Sequence, residues 1–297
     1  MTAKAIRLRR FFSLPLSAKL LVLRRKLGLQ RIPLLIRLPD AGWWLARPEF
    51  GRGLNDGIWN YEIGERRFLC RYLRPGMTVL DIGAHVGLYT LLAARKVAPT
   101  GRVIAFEPSP CERRFLHLHL RLNHCRHVRV EPFALADREG TTTLFVYHGA
   151  FLDCPNTMLN SLRRQSWALP CEAISVPVTT LDAYLERHGI GEADFVKIDT
   201  EGAELSILAG AKRLLTTSPR PLLMVELNDA VTQPWGYPAR IILDTLLVMD
   251  FHVFITTEEG FLMPAPLLET YDPLQNVFAI PKERLSEVSP FMEVGDR

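Results

Sequence analysis

From about residue 77 the chain alternates short apolar runs with stretches whose apolar residues recur at helical spacing. "MTVLDIG" reads as a short buried strand and "GLYTLLAARKV" carries a helical apolar pattern. "GRVIAFEP" is a second strand. In "SPCERRFLHLHLRLN" Ser109 suits the N-cap, Pro110 the first helical position, and Glu112 completes a capping box. "HVRVEPFAL" is a third strand, so the run β-α-β-α-β predicts a parallel, doubly wound α/β sheet.

Further on, "TTTLFVYH" reads as a strand, and residues 149–172, rich in Pro, Asn and Ser, as an excursion over the active face. "ISVPVTTLDAYLERHG" predicts a strand and a capped helix ending at Gly189. "ADFVKIDTEG" is a buried strand followed by the helix "AELSILAGAKRLL". "PLLMVELND", a helix near 238–249, "FHVFITT" and "NVFAIP" supply the last elements.

The first 55 residues read differently, as an accessory arm to a domain spanning 56–297. In "SAKLLVLRRKLGL", Ser17 suits a cap, Leu20, Leu23 and Leu27 fall at helical spacing, and Gly28 suits a stop. Residues 1–39 hold ten Lys and Arg and no Asp or Glu. Three readings fit: a helix capping the main domain with its arginines in water, a basic face in peripheral contact with an anionic membrane, or an organelle transit peptide. No apolar run reaches the length of a membrane span, and no secretory signal is recognisable.

Charge then narrows the function. Of 36 Lys and Arg, 26 remain beyond that arm against all 32 acidic residues, so the body is net acidic although the chain carries +4. A nucleic-acid enzyme needs a basic groove across its body, and nucleic acid is therefore not expected as a partner. The five cysteines are scattered, with no C-x-x-C pair, which suggests neither a disulfide framework nor a zinc site and makes a reducing, cytoplasmic setting the default. In "HLHLRLNHCRH", His117 and His119 are two apart and diverge on a helix, so no metal is expected.

"VLDIGAHVGLYT" holds the most telling chemistry. Asp81 ends a strand, Gly83 and Gly87 permit a tight turn, and Ala84 stands where a dinucleotide fingerprint has its second glycine. A pyrophosphate would be repelled by Asp81, whereas a cation without phosphates would be favoured. S-adenosylmethionine meets that description. Glu107 ends the next strand, followed by Pro108 and Ser109, and suits two ribose hydroxyls.

A second acidic cluster lies in "FVKIDTEGAEL". Glu201 and Glu204 are explained by compensation of a helix N-terminus, but Lys197 and Asp199 alternate on an apolar strand and point to one side. Two ionisable groups on a buried strand are costly unless paired or functional.

Taken together, "VLDIGAHVGLYT", "VIAFEPSP", "NSL" at 160–162, "VPVTTLDAYL", "DFVKIDTEGAELSILAGA" and "PLLMVELN" resemble the FkbM family of S-adenosylmethionine-dependent methyltransferases over residues 56–228. The resemblance implies a class I methyltransferase (Rossmann-like) fold, seven-stranded with its last strand reversed, and O-methylation of sugars or natural-product hydroxyls. His85 departs from the Asn common in the family's turn. Glu62 in "WNYEIGE" is similar to an acidic position the family holds upstream of the turn, at the cofactor.

Methyl transfer is an in-line displacement, so positioning dominates and a base must take the hydroxyl proton. Asp199 or Glu201 is the expected base, with Lys197 tuning the pair. Asn160, Ser161 and Glu226 are candidates for binding the acceptor, a small molecule or glycan. The competing functions are a nicotinamide-dependent oxidoreductase, opposed by Asp81 and Ala84, and a non-catalytic, membrane-associated nucleoside-binding scaffold, opposed by the retained acidic cluster.

Overall fold

The structure, a computed structural model, describes residues 15–29, 31–47, 54, 57–148, 158–165 and 170–293. Along the chain it forms α1 (Leu16–Lys26), the hairpin β1 (Leu34–Leu38) and β2 (Gly42–Ala46), and α2 (Ile63–Tyr72). The alternating core follows as β3 (Thr78–Ile82), α3 (Leu88–Val97), β4 (Arg102–Phe106), α4 (Pro110–Leu122) and β5 (Val128–Glu131). Next come β6 (Ala134–Leu135), β7 (Gly140–His148), β8 (Met158–Ser161), β9 (Cys171–Thr179), α5 (Leu181–Arg187) and β10 (Phe195–Ile198). The last part holds α6 (Glu204–Ala209), α7 (Lys212–Thr216), β11 (Leu222–Leu227), α8 (Asp229–Thr232), α9 (Arg240–Val248), β12 (Phe251–Thr256), β13 (Leu262–Pro264) and β14 (Gln275–Pro281).

The central sheet runs β13-β12-β14-β11-β10-β3-β4-β5. The neighbours from β11 to β5 are parallel, and β14, the last strand, inserts antiparallel between β11 and β12. This is the expected seven-stranded sheet with its reversed last strand. A short eighth strand, β13, extends the edge because the chain after β12 folds back on it. Alternation explains the two cores. Val79 and Val103 face the layer of α2, α3 and α4, while Leu80, Ile82, Ile104 and Phe106 face the layer of α5, α6 and α9.

The excursion folds back as well. β8 pairs with β7, which pairs with β9, and β6 joins β9 to give a second four-stranded sheet. Residues 149–157 and 166–169 of that excursion lie outside the described residues.

Three local expectations are corrected. Ser17 does not cap α1: the N-cap is Pro15, and the Ser17 hydroxyl accepts the Arg37 amide at 3.3 Å. The capping box at α4 is replaced, because the Ser109 amide donates to Glu107 at 2.8 Å while its hydroxyl donates to Glu112. The helix expected over "AELSILAGAKRLL" breaks into α6 and α7 at Gly210, where a β-carbon would come within 2.1 Å of the Ala136 carbonyl oxygen. Close approach of the second sheet wins over helix continuity there.

The arm rests on the body through its hairpin. Trp44 is fully buried and stacks on His119, with ring centroids 4.3 Å apart. Asn123 accepts the Trp43 amide at 2.7 Å and donates to its carbonyl at 2.7 Å. No helix of the described residues is long and apolar enough to cross a membrane.

Candidate active site

Asp81, Glu107, Asp199 and Glu226 each end or follow a strand of the parallel sheet on one side, where open α/β sheets hold their ligands. Gly83 has φ of 78°, and a β-carbon on it would lie 1.8 Å from the Asp199 carbonyl oxygen. The glycine turn and the acidic turn therefore touch backbone to backbone. Between them lies a cleft lined by Tyr61, Glu62, Asp81, His85, Lys197 and Asp199 among others.

On the cofactor side, Glu107 is buried and accepts two amides, His85 N–H and Ser109 N–H, both at 2.8 Å. Burial and the neighbouring Glu112 push its carboxyl up to about 8, against the pull of those amides. Each oxygen retains a lone pair for a further donor. Asp81 is buried; Oδ2 accepts the Thr90 hydroxyl at 2.5 Å, while Oδ1 has no partner among the described residues. Burial raises its pKa, and Lys197 opposes the rise. Ala84 is buried and its amide donates to the Phe106 carbonyl at 3.0 Å. His85 sits in the left-handed region at φ 51°, and its imidazole pKa is lowered by burial. The Pro108 carbonyl is held by Arg113 at 2.8 Å.

Behind the turn, His119 fixes its own tautomer. Nδ1 lies 2.7 Å from the Val86 carbonyl, so it donates, and Nε2 accepts the Leu45 amide at 3.2 Å. Burial lowers its pKa to about 4, which keeps the ring neutral.

The acidic side is assembled differently. Lys197 and Asp199 do face one way: Nζ donates to Oδ2 at 2.8 Å, and Lys197 also lies 5.1 Å from the Tyr89 ring centroid. Asp199, followed by Asp81, raises the Lys197 pKa against burial, so the ammonium persists. Glu201 adopts φ of 56°, and burial and then Asp199 push its carboxyl up to about 8. Glu226 is buried, its Oε2 has no partner among the described residues, and burial with Asp199 and Glu201 raises its pKa. Glu204 serves the turn itself, accepting the Thr200 amide at 2.9 Å and the Thr200 hydroxyl at 3.0 Å.

Ser161 reaches the site from beneath. Its hydroxyl donates to the Glu201 carbonyl at 3.0 Å and accepts from Gln165 at 3.1 Å, so it holds the turn rather than facing the cleft. Asn160, beside it on β8, has a buried Oδ1 without a partner among the described residues. Glu62, also left-handed at φ 46°, accepts the Tyr89 hydroxyl at 2.7 Å and the Asn276 amide at 2.9 Å. Tyr61, Tyr89 and Asn276 were not among the expected site residues. Tyr89 stands in the first turn of α3, within the glycine motif, and its position was readable; Asn276 carries no local signal.

The fit to S-adenosylmethionine rests on two features at the glycine turn: an Asp81 oxygen without a partner among the described residues, for a cationic donor, and a Glu107 carboxyl poised by two amides to accept hydroxyls.

Known proteins agree with this arrangement. The family model described as "Methyltransferase FkbM domain" matches residues 81–256. The 2-O-methyltransferase NoeI of Sinorhizobium fredii is 25% identical over 67% of this chain and 82% of its own length. The 31-O-demethyl-FK506 methyltransferase FkbM of Streptomyces tacrolimicus is 30% identical over 47% of this chain and 61% of its own. The AMB antimetabolite synthetase AmbE of Pseudomonas aeruginosa is 29% identical over 53% of this chain, which spans only 9% of that much longer protein. The family match covers more than half of the chain, from the glycine turn through the acidic turn to β12, and the chain belongs to the FkbM family of methyltransferases.

Proposed function

We propose that this protein is an S-adenosylmethionine-dependent O-methyltransferase whose acceptor is a hydroxyl of a sugar, glycan or natural product. The observation that carries the reading is the contact of two carboxylate-bearing turns at Gly83 and Asp199, one suited to a phosphate-free nucleoside cation and the other to a hydroxyl. When bound, S-adenosylmethionine supplies an electrophilic methyl group on a sulfonium. Glu107 accepts the ribose hydroxyls, and Asp81 with Glu62 provides negative charge for the cationic end. Lys197 holds Asp199 in place, and Asp199 orients the acceptor hydroxyl.

Glu201 is the proton acceptor. Asp199 is already paired to Lys197, whereas the Glu201 carboxyl, pushed up to about 8, binds a proton near neutral pH. Glu226 and Asn160 contribute acceptor contacts, and Ser161 positions the turn. Two relatives whose names state O-methylation, NoeI and FkbM, support oxygen as the target. Family membership weighs against the nicotinamide alternative.

The test is thermal unfolding with S-adenosylhomocysteine, S-adenosylmethionine and NAD, followed by methyl transfer to a panel of sugar and natural-product alcohols. A specific ligand at 100 times its Kd adds about 2.7 kcal/mol of stability. Stabilisation by both adenosyl sulfur ligands and not by NAD, with methyl ethers as products, is expected. Cofactor binding with no methylated product from any alcohol would favour the scaffold alternative.

A further inference from the structure

Eight of the fifteen exposed large apolar side chains among the described residues fall within residues 16–43. Isolated exposed leucines need no explanation, but a contiguous set does. On α1, Leu16, Leu20, Leu23 and Leu27 follow one another at intervals of four, three and four, which places them on one helix face. They are 72%, 39%, 48% and 61% exposed, and the stripe spans about 16 Å at the helical rise. The opposite side of α1, with Ala18, Leu21 and Arg24, is the buried one. The leucines that sequence spacing selects as the apolar face of this helix thus point away from the protein. Ile32 and Leu35, also exposed, add to the apolar surface beyond the helix.

The charge around this face limits what covers it. Residues 1–39 contain ten Lys and Arg and no acidic residue. Lys19 and Lys26, seven positions apart, flank the leucine stripe on one side of α1, and exposed Arg31 and Arg37 follow. A second copy seated face to face would oppose one acid-free basic set to another. A surface that is apolar inside and anionic outside satisfies both features at once.

We propose that the α1–β1 face docks on an anionic lipid bilayer, with the leucine stripe in the interfacial region and the Lys and Arg side chains against lipid phosphates. The proposal does not depend on the methyl-transfer reading. The Trp44 stack on His119 and the hydrogen bond from the Leu45 amide to that ring tie the hairpin to α4, and His119 in turn bonds the Val86 carbonyl behind the glycine turn.

The experiment is flotation of the full chain with vesicles of phosphatidylcholine alone and with about 30 mol% phosphatidylglycerol. Binding is expected to the anionic vesicles only and to weaken steeply in roughly 0.5 M salt. Leu20→Glu/Leu23→Glu is expected to lower binding at least about tenfold, and Lys19→Glu about fivefold or more. The milder Leu20→Ser/Leu23→Ser, checked by circular dichroism, replaces the first variant if it misfolds. Absence of binding to anionic vesicles, or binding undiminished in folded leucine variants, overturns the proposal. So does a dimer in sedimentation velocity that the leucine variants dissolve without any lipid binding, which would assign the face to a second copy.

Discussion

The glycine turn and the acidic turn each hold a carboxyl near the same proton affinity, raised in both by burial and a neighbouring carboxylate, but they differ in what already holds the oxygens. Glu107 is pushed up to about 8 by burial and Glu112, yet two backbone amides already hold its oxygens in place. Glu201 is pushed up to about 8 by burial and then by Asp199 and Glu204, and the nearby Glu226 keeps an oxygen with no partner among the described residues. One half is finished before a ligand arrives. The other gathers Asp199, Glu201, Glu204 and Glu226, a denser like-charge cluster that a proton or a hydroxyl donor would relieve, as expected of a site whose task is to take up a proton.

The comparison breaks most sharply at Glu201. Glu201→Gln should lower kcat by about 10²–10⁴-fold and leave S-adenosylhomocysteine affinity unchanged by calorimetry. In the wild type, kcat should rise with pH through about 8 and flatten above it, since the base must be ionised. A loss in affinity equal to the loss in kcat would mean that the halves are not separate. Next in size, Glu107→Ala should weaken cofactor binding by about ten- to a hundredfold through the loss of its buried hydrogen bonds, with Glu107→Gln as the control for folding.

A gain is expected at Glu226. Glu226→Gln removes a buried, unpartnered, repelled carboxyl, so the free protein should be more stable by about 1–3 kcal/mol at neutral pH in denaturant titration, while turnover falls. No stabilisation would mean that the Glu226 pKa is not raised in the folded protein, its second oxygen being satisfied.

A further expectation concerns the pH dependence of stability. Glu107 and Glu201 have folded pKa values raised from 4.5 to about 8, so their contribution is full below 4.5 and is lost as pH rises through 8. His119 has its value lowered from 6.5 to about 4, so its contribution is present above 6.5 and is lost as pH falls toward 4. Melting temperatures should therefore fall on both sides of a mildly acidic optimum. Glu201→Gln should flatten the alkaline limb, and His119→Asn the acid one.

The alternating core was legible because its signals are local. Strand alternation placed Val79 and Leu80 on opposite faces, and the turn after Asp81 announced its glycines. Lys197 and Asp199 were likewise readable, since strand period alone sends both to one side. What escaped depends on distant chain. Ser109 abandons its capping box because Glu107, fixed by the sheet, captures its amide first. Gly210 breaks a helix because another sheet presses on it. The leucines of α1 have the expected period, but which face of the helix is buried is decided by what Ala18 and Leu21 find to pack against. Asn276 reaches Glu62 only because β14 inserts beside β11, and no window of sequence contains that fact.

That last contact sets an order of events. Glu62 and Asn276 stand 214 positions apart, and β14 lies between two strands that both precede it. During synthesis the sheet must wait with a gap beside β11, and the cleft lacks one support of its wall until the final strand is made. A chain cut short before residue 275 would carry both signature turns intact and still leave Glu62 without its amide partner.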